Sequence, residues 1–133
     1  MITLHLLQYL LNNGFGTGIE SDLFYEELPL GKNGIAIYSR GGDMNEGRSR
    51  FKKRFDLYSR GNSNLSGALA LENIKEFFAN NSDDLCALPI VPDVSNRIYY
   101  NCKMLAVGDI ENIGLDENDR VIFRMGCEII YKK

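Results

Sequence analysis

The sequence predicts one α+β domain, a mixed or mostly antiparallel sheet of about five strands flanked by two helices, in the order α-β-β-β-α-β-β. Three observations carry that expectation. From Arg97 onward the chain alternates apolar and polar residues. Ile98, Tyr100, Cys102, Met104 and Ala106 share one face of RIYYNCKMLAV, and Val121, Phe123, Met125, Cys127, Ile129 and Tyr131 share one face of VIFRMGCEIIYKK. Two other segments repeat their apolar residues at helical spacing instead. No internal repeat, linker or low-complexity tract divides the 133 residues, so 1–133 reads as a single domain.

The first helix is expected over residues 3–13. Leu4, Leu7 and Leu11, with Leu6 and Leu10 beside them, form a broad stripe that should pack onto a sheet face. Thr3 is the expected N-cap, and Gly14 suits the left-handed position after the last turn. A membrane-surface role is disfavoured because the segment has no lysine or arginine. The GFGTG run that follows (Gly14 to Gly18) lacks the Lys-Ser/Thr pair of a phosphate loop and comes after a helix, so it reads as a chain reversal.

Residues 22–30 hold a short strand that Pro29 ends or confines to an edge, and residues 35–40 form the next. Residues 41–49, with three glycines and alternating charge, read as an exposed loop. The third strand covers 50–59, with Phe51, Lys53, Phe55 and Leu57 on one face and Lys52, Arg54, Asp56 and Tyr58 on the other. Lys53 is discordant on the apolar side, either guarding an edge strand or facing a partner. A turn at 61–64 leads to the second helix, residues 65–80, whose stripe is Ala70, Leu71, Ile74, Phe77 and Phe78. Pro89 and Pro92 keep residues 85–96 irregular, and a polar turn is expected to join the two closing strands. The core residues singled out are Leu7, Leu11, Ile74, Phe77, Phe123 and Ile129.

Composition excludes little by itself. A net charge of −3 gives the whole chain no pull toward nucleic acid or anionic lipid, although a local basic patch remains compatible with it. Cys86, Cys102 and Cys127 read as reduced structural thiols, with a cross-strand disulfide as the alternative. No apolar run approaches the ~20 residues of a membrane span. The start lacks the basic residues and cleavage site of a signal peptide, so the mature chain is expected to begin there and stay on the cytoplasmic side of any membrane.

No constellation resembles an active site, and the expectation is a protein that is not an enzyme, with no metal and no cofactor. His5, between leucines, reads as a packing or surface residue. The acidic run at 116–119 fails the calcium-loop pattern, since the sixth position from Asp116 is Val121 rather than glycine, and reads as a solvated turn. Glu26 and Glu27, adjacent on a strand, should point to opposite faces and make a poor carboxylate pair. The charge concentration that stands out is Arg48, Arg50, Lys52, Lys53 and Arg54, accompanied by Asp43 and Glu46. It reads as one half of a complementary protein interface, with a nucleic-acid surface on the same strand as the alternative.

The order of elements, the phrase LYSRG (Leu57 to Gly61) closing the central strand, and the ending IENIGLDENDRVIFRMGCEIIY (Ile110 to Tyr131) resemble the tail terminator proteins of long-tailed bacteriophages, often labelled minor capsid proteins. The resemblance spans most of the chain and rests on order rather than on a catalytic motif; Pro89 and Pro92 lie outside it. It implies a hexameric ring at the head-proximal end of the virion tail, assembled in the bacterial host cytoplasm. That ring stops polymerisation of the major tail tube protein and offers its other side to a head-completion protein. DNA passes through the lumen without sequence recognition. A projecting hairpin at about residues 41–54 belongs to the same expectation, and another neck or tail component is the neighbouring possibility.

Overall fold

The computed structural model describes residues 1–47, 50–81 and 85–132, and side chains at those positions except 42–47. Helix α1 (Ile2–Asn12) is followed by strands β1 (Leu23–Tyr25), β2 (Gly34–Gly47) and β3 (Arg50–Arg60). After helix α2 (Asn64–Asn80) come β4 (Cys86–Leu88), β5 (Tyr99–Ala106), β6 (Glu111–Leu115) and β7 (Val121–Lys132). The domain is α+β with two helices and a mostly antiparallel sheet, as expected, but the described strands number seven rather than about five. Their order is β1-β2-β3-β7-β5-β4, with β6 also paired to β7. The β1–β2 pair is parallel.

Helix α1 is not capped by Thr3. Met1 is the N-cap, without a side-chain hydrogen bond. Thr3 is buried inside the first turn, and its hydroxyl meets Ser39 Oγ at 3.1 Å. The other end matches the expectation: Gly14 takes φ +86°, its N–H donates to Leu11 O, and Phe15 N–H donates to Leu10 O. These two bonds close a Schellman motif, which satisfies carbonyls the helix would otherwise leave bare. In α2, Ser63 and Ser66 cap each other's backbone N–H groups.

Residues 41–47 are strand, not loop. Strand β2 runs on to Gly47 and stays paired with β3 through Met44↔Lys52, Asn45↔Phe51 and Gly47↔Arg50, with bulges absorbing the extra residues. The result is a long β2–β3 hairpin whose tip, including Arg48, lies outside the described residues. Strand β3 is central, between β2 and β7, so Lys53 guards no edge; its ammonium donates to the Gly41 carbonyl within the hairpin.

The closing region is also more elaborate than two strands and a turn. Strand β7 pairs with β3 along one side. On its other side it pairs first with β6 (Leu115↔Val121 to Glu111↔Arg124) and then with β5 (Ala106↔Cys127 to Tyr100↔Lys132). The alternation on β7 holds, with Val121, Met125, Cys127, Ile129 and Tyr131 buried. On β5 it slips. A bulge between Tyr100 and Lys103, with Asn101 at φ +52°, shifts the pattern by one. Cys102 and Met104 face the core as expected, but Tyr99 replaces Ile98 and Tyr100, which are exposed.

Both helices cover the same sheet face. Leu6, Leu7 and Leu10 of α1 and Leu71, Ile74 and Phe78 of α2 share one apolar cluster with Ile35, Ile37, Phe55, Leu57, Met125 and Ile129. Leu7, Ile74 and Ile129 are fully buried; Leu11, Phe77 and Phe123 are half-buried residues against that cluster. The α2 residue that fills the core is Phe78, since Phe77 sits on the helix flank against Tyr9 and Phe15. The three thiols are free: Cys102 is the register partner of Cys86, and Cys127 that of Ala106, so Cys102 and Cys127 are not cross-strand neighbours.

Candidate functional site

Alternation on the sheet sends every second side chain away from the helices, and among the described residues no helix packs on that second face. Its composition follows from the registers. Nearest the hairpin tip, Arg50, Lys132 and Tyr100 lie side by side across β3, β7 and β5. The next row is Lys52, Ile130 and Lys103. The third is Arg40, Arg54, Glu128 and Leu105, crossing from β2 to β5. Successive rows are separated by about 6.8 Å, two residues of strand rise.

Below these rows the face becomes a polar cleft. Asp56 lies opposite Gly126, and the missing side chain opens a space of about 260 Å³ rimmed by Arg40, Arg54, Glu111 and Arg124. Arg40 Nε lies 3.6 Å from Asp56 Oδ2, and Arg124 donates to Glu111 Oε2 at 2.7 Å. Burial pushes the Asp56 carboxyl above its usual value, an effect that Arg40 and Arg124 oppose.

The far end is apolar. Leu28, Leu30, Tyr38, Tyr58, Ile113 and Leu115 line a groove of about 360 Å³. Leu30 is 72% exposed and Leu115 62%. The loop before β2 forms one wall because Arg60 anchors it, donating to the carbonyls of Pro29 and Lys32. Arg60 is buried and also pairs with Asp116 at 3.4 Å. Asp116 is therefore not part of a solvated turn. Its Oδ1 accepts from the N–H groups of Asn118 and Arg120, and its side chain is 5% exposed. Burial acts to raise its pKa, but those N–H groups and the Arg120 and Arg60 guanidiniums outweigh burial and hold it below the ordinary carboxylate value. Glu117, Asn118 and Asp119 are exposed, as expected.

The residues singled out from the sequence are divided by this geometry. Arg50, Lys52 and Arg54 stand on the open face with Lys132, Lys103 and Arg40, which sequence reasoning missed because they come from three other strands. Lys53 points to the helix side. Asp43 and Glu46 are in β2, but their side chains, like Arg48 as a whole, lie outside the description. Glu26 and Glu27 are both exposed just past β1, with Glu26 at φ +59°. They stand near Tyr38, whose pKa is raised chiefly by burial, with Tyr58 and these carboxylates adding smaller effects and the Leu28 N–H opposing the rise.

His5 is a packing residue in the fullest sense. It is completely buried, edge-on to Tyr99 at 5.2 Å. Its Nδ1 lies 2.8 Å from the Pro89 carbonyl, which can only accept, so Nδ1 carries the proton and Nε2 accepts from the Ser95 hydroxyl at 3.0 Å. This pins the two-proline segment to α1. That segment is not wholly irregular, since β4 and a Val91↔Ser95 bridge lie in it, and it leaves Leu85, Val94 and Ile98 each about 60% exposed.

Among the described residues, no three His, Cys, Asp or Glu side chains gather as a metal site, and no helix is long and apolar enough to cross a membrane. No protein-family model matches the chain, and no curated protein matches it significantly.

Proposed function

We propose that the chain is a structural subunit of a phage tail ring, one that ends tail-tube polymerisation and joins the tail to the head-completion complex. The resemblance of the sequence to tail terminators supplies the role. The observation that supports assembly is apolar side chains exposed in two unlike places: the groove around Leu30, Ile113 and Leu115, and Leu85, Val94 and Ile98 along the segment before β5. A subunit with two different apolar surfaces suits head-to-tail association, in which one surface of each copy covers the other surface of the next. Closing a ring buries both on every subunit. The long β2–β3 hairpin is the element that reaches the axial partners, the major tail tube protein and the head-completion protein.

Native mass spectrometry with negative-stain imaging tests the reading. The expected result is a closed ring with an open lumen that is lost in Leu115→Lys, with the variant remaining folded by circular dichroism. A protein that stays monomeric at every concentration, alone and mixed with tail tube protein, refutes it.

A further inference from the structure

We infer that the three basic rows of the open sheet face bind single-stranded nucleic acid through its phosphates, with bases lying on the apolar residues of the same rows. The inference goes beyond the ring reading and stands on one subunit. It begins with a conflict inside the sheet. Arg50 is the direct register partner of Lys132, and Arg40 that of Arg54. Like charges directly opposite each other destabilise a sheet, yet this face holds two such pairs within three rows. Lys103 adds another cation. Among the described side chains of these rows the one acid is Glu128, 3.9 Å from Lys52 Nζ. Among the described residues, Arg50, Arg54, Lys103 and Lys132 make no ion pair. A chain with net charge −3 has thus gathered cations from β2, β3, β5 and β7 onto one surface.

A polyanion relieves that repulsion, and the details favour nucleic acid over an acidic protein. Three of the cations are arginines, whose planar forks match phosphate oxygens two at a time. The rows repeat at about 6.8 Å along the strands, a periodic track rather than a single charged spot. Tyr100, 45% exposed, ends the first row beside Lys132, Ile130 lies between Lys52 and Lys103 in the second, and Leu105 ends the third beside Glu128. Interleaved aromatic and aliphatic surface is what unpaired bases use for stacking, and a duplex, with its bases inside, gains nothing from it. A shallow cleft of about 190 Å³ between Arg50, Leu85, Asn101 and Lys132 lies beside the first row, at the hairpin-tip end of the track.

Fluorescence anisotropy with an end-labelled mixed-sequence DNA 20-mer, single-stranded or duplex, tests the inference on the full chain. The single strand should bind more tightly than the duplex, with affinity falling steeply as salt rises from about 50 to 200 mM. Arg50→Glu with Lys132→Glu should weaken binding at least about tenfold and lower the salt slope by about 2. Tyr100→Ala should weaken the single strand several-fold and leave the duplex unchanged. Lys32→Glu, an exposed lysine at the other end, should bind as wild type, and circular dichroism confirms that each variant is folded. Absence of binding, or binding that the Arg50/Lys132 pair does not alter, overturns the inference. Equal affinity for the duplex overturns the single-strand assignment, and polyglutamate bound as tightly as DNA overturns nucleic acid in favour of an acidic protein. Ring closure is read separately by native mass spectrometry, so loss of one property leaves the other measurable.

Discussion

Replacing His5 with alanine should destabilise the domain by about 3 kcal/mol, and the structure says where that free energy goes. The imidazole is fully buried and donates to Pro89 O at 2.8 Å. Its loss leaves the partly buried Pro89 carbonyl without this donor, at about 1 kcal/mol. It also leaves a ring-sized cavity beside Tyr99 that can collapse only in part. Ser95→Ala is milder: it strands Nε2 alone, at about 1–2 kcal/mol. Because the two residues share one bond of 3.0 Å, the double variant should cost less than the two single losses added, with a coupling of about 1 kcal/mol. Urea denaturation with an unchanged m-value measures each number, and the melting temperature of His5→Ala should fall by roughly 10 °C. Hydrogen exchange supplies the local readout, because Val91 and Ser95 exchange both backbone hydrogen bonds across the segment that His5 anchors. Their amides should lose protection first. A His5→Ala protein within about 0.5 kcal/mol of wild type, with those amides still protected, would refute the anchoring argument.

Two further outcomes separate neighbours that look alike in sequence. Phe78→Ala should cost about 3–5 kcal/mol as a cavity in the core, whereas Phe77→Ala, half-exposed on the helix flank, should cost about 1–2 kcal/mol; equal losses in chemical denaturation would mean the helix is rotated. Asp116, with its pKa held below the ordinary carboxylate value, contributes stability that is present above the unfolded value of about 3.9 and is lost as pH falls through the lower folded one. Urea midpoints should therefore drop below about pH 4 in wild type and in the exposed-site variant Asp119→Asn. Asp116→Asn should begin lower and lose less on acidification.

Much of the fold was legible because burial imposes a period. The stripes of Leu6, Leu7 and Leu10 and of Leu71, Ile74 and Phe78, and the alternation on β7, are each dictated by one helix or strand meeting one core. What misled was local conformational choice. A glycine-rich, charged stretch at 41–47 is compatible with a loop, and only pairing to β3 extends it as strand. The bulge at Asn101 exchanges the roles of Tyr99 and Tyr100 without any breaker residue to announce it. Asp116 carries the same letters as a solvated turn, and the buried Arg60 that pairs with it lies far away along the chain. The basic face was half legible: Arg50, Lys52 and Arg54 are visible on one strand, but Arg40 joins them through the β2–β3 pairing, and Lys132 and Lys103 only once β7 lies between β3 and β5.

The place of β7 at the middle of the sheet has a consequence for how the protein is made. The β2–β3 hairpin and both helices are synthesised before the strand that must insert between β3 and β5. At about 5–20 residues per second the ribosome needs several seconds to travel from the end of β3 to the end of β7. Throughout that interval one side of β3 presents unpaired N–H and C=O groups, and Phe55 and Leu57 await part of their cover. The nascent chain is thus at its most adhesive just before its final strand arrives, and pairing with a sister chain competes with completion. Folding should be a single late event, with loop closure over a long stretch setting its rate.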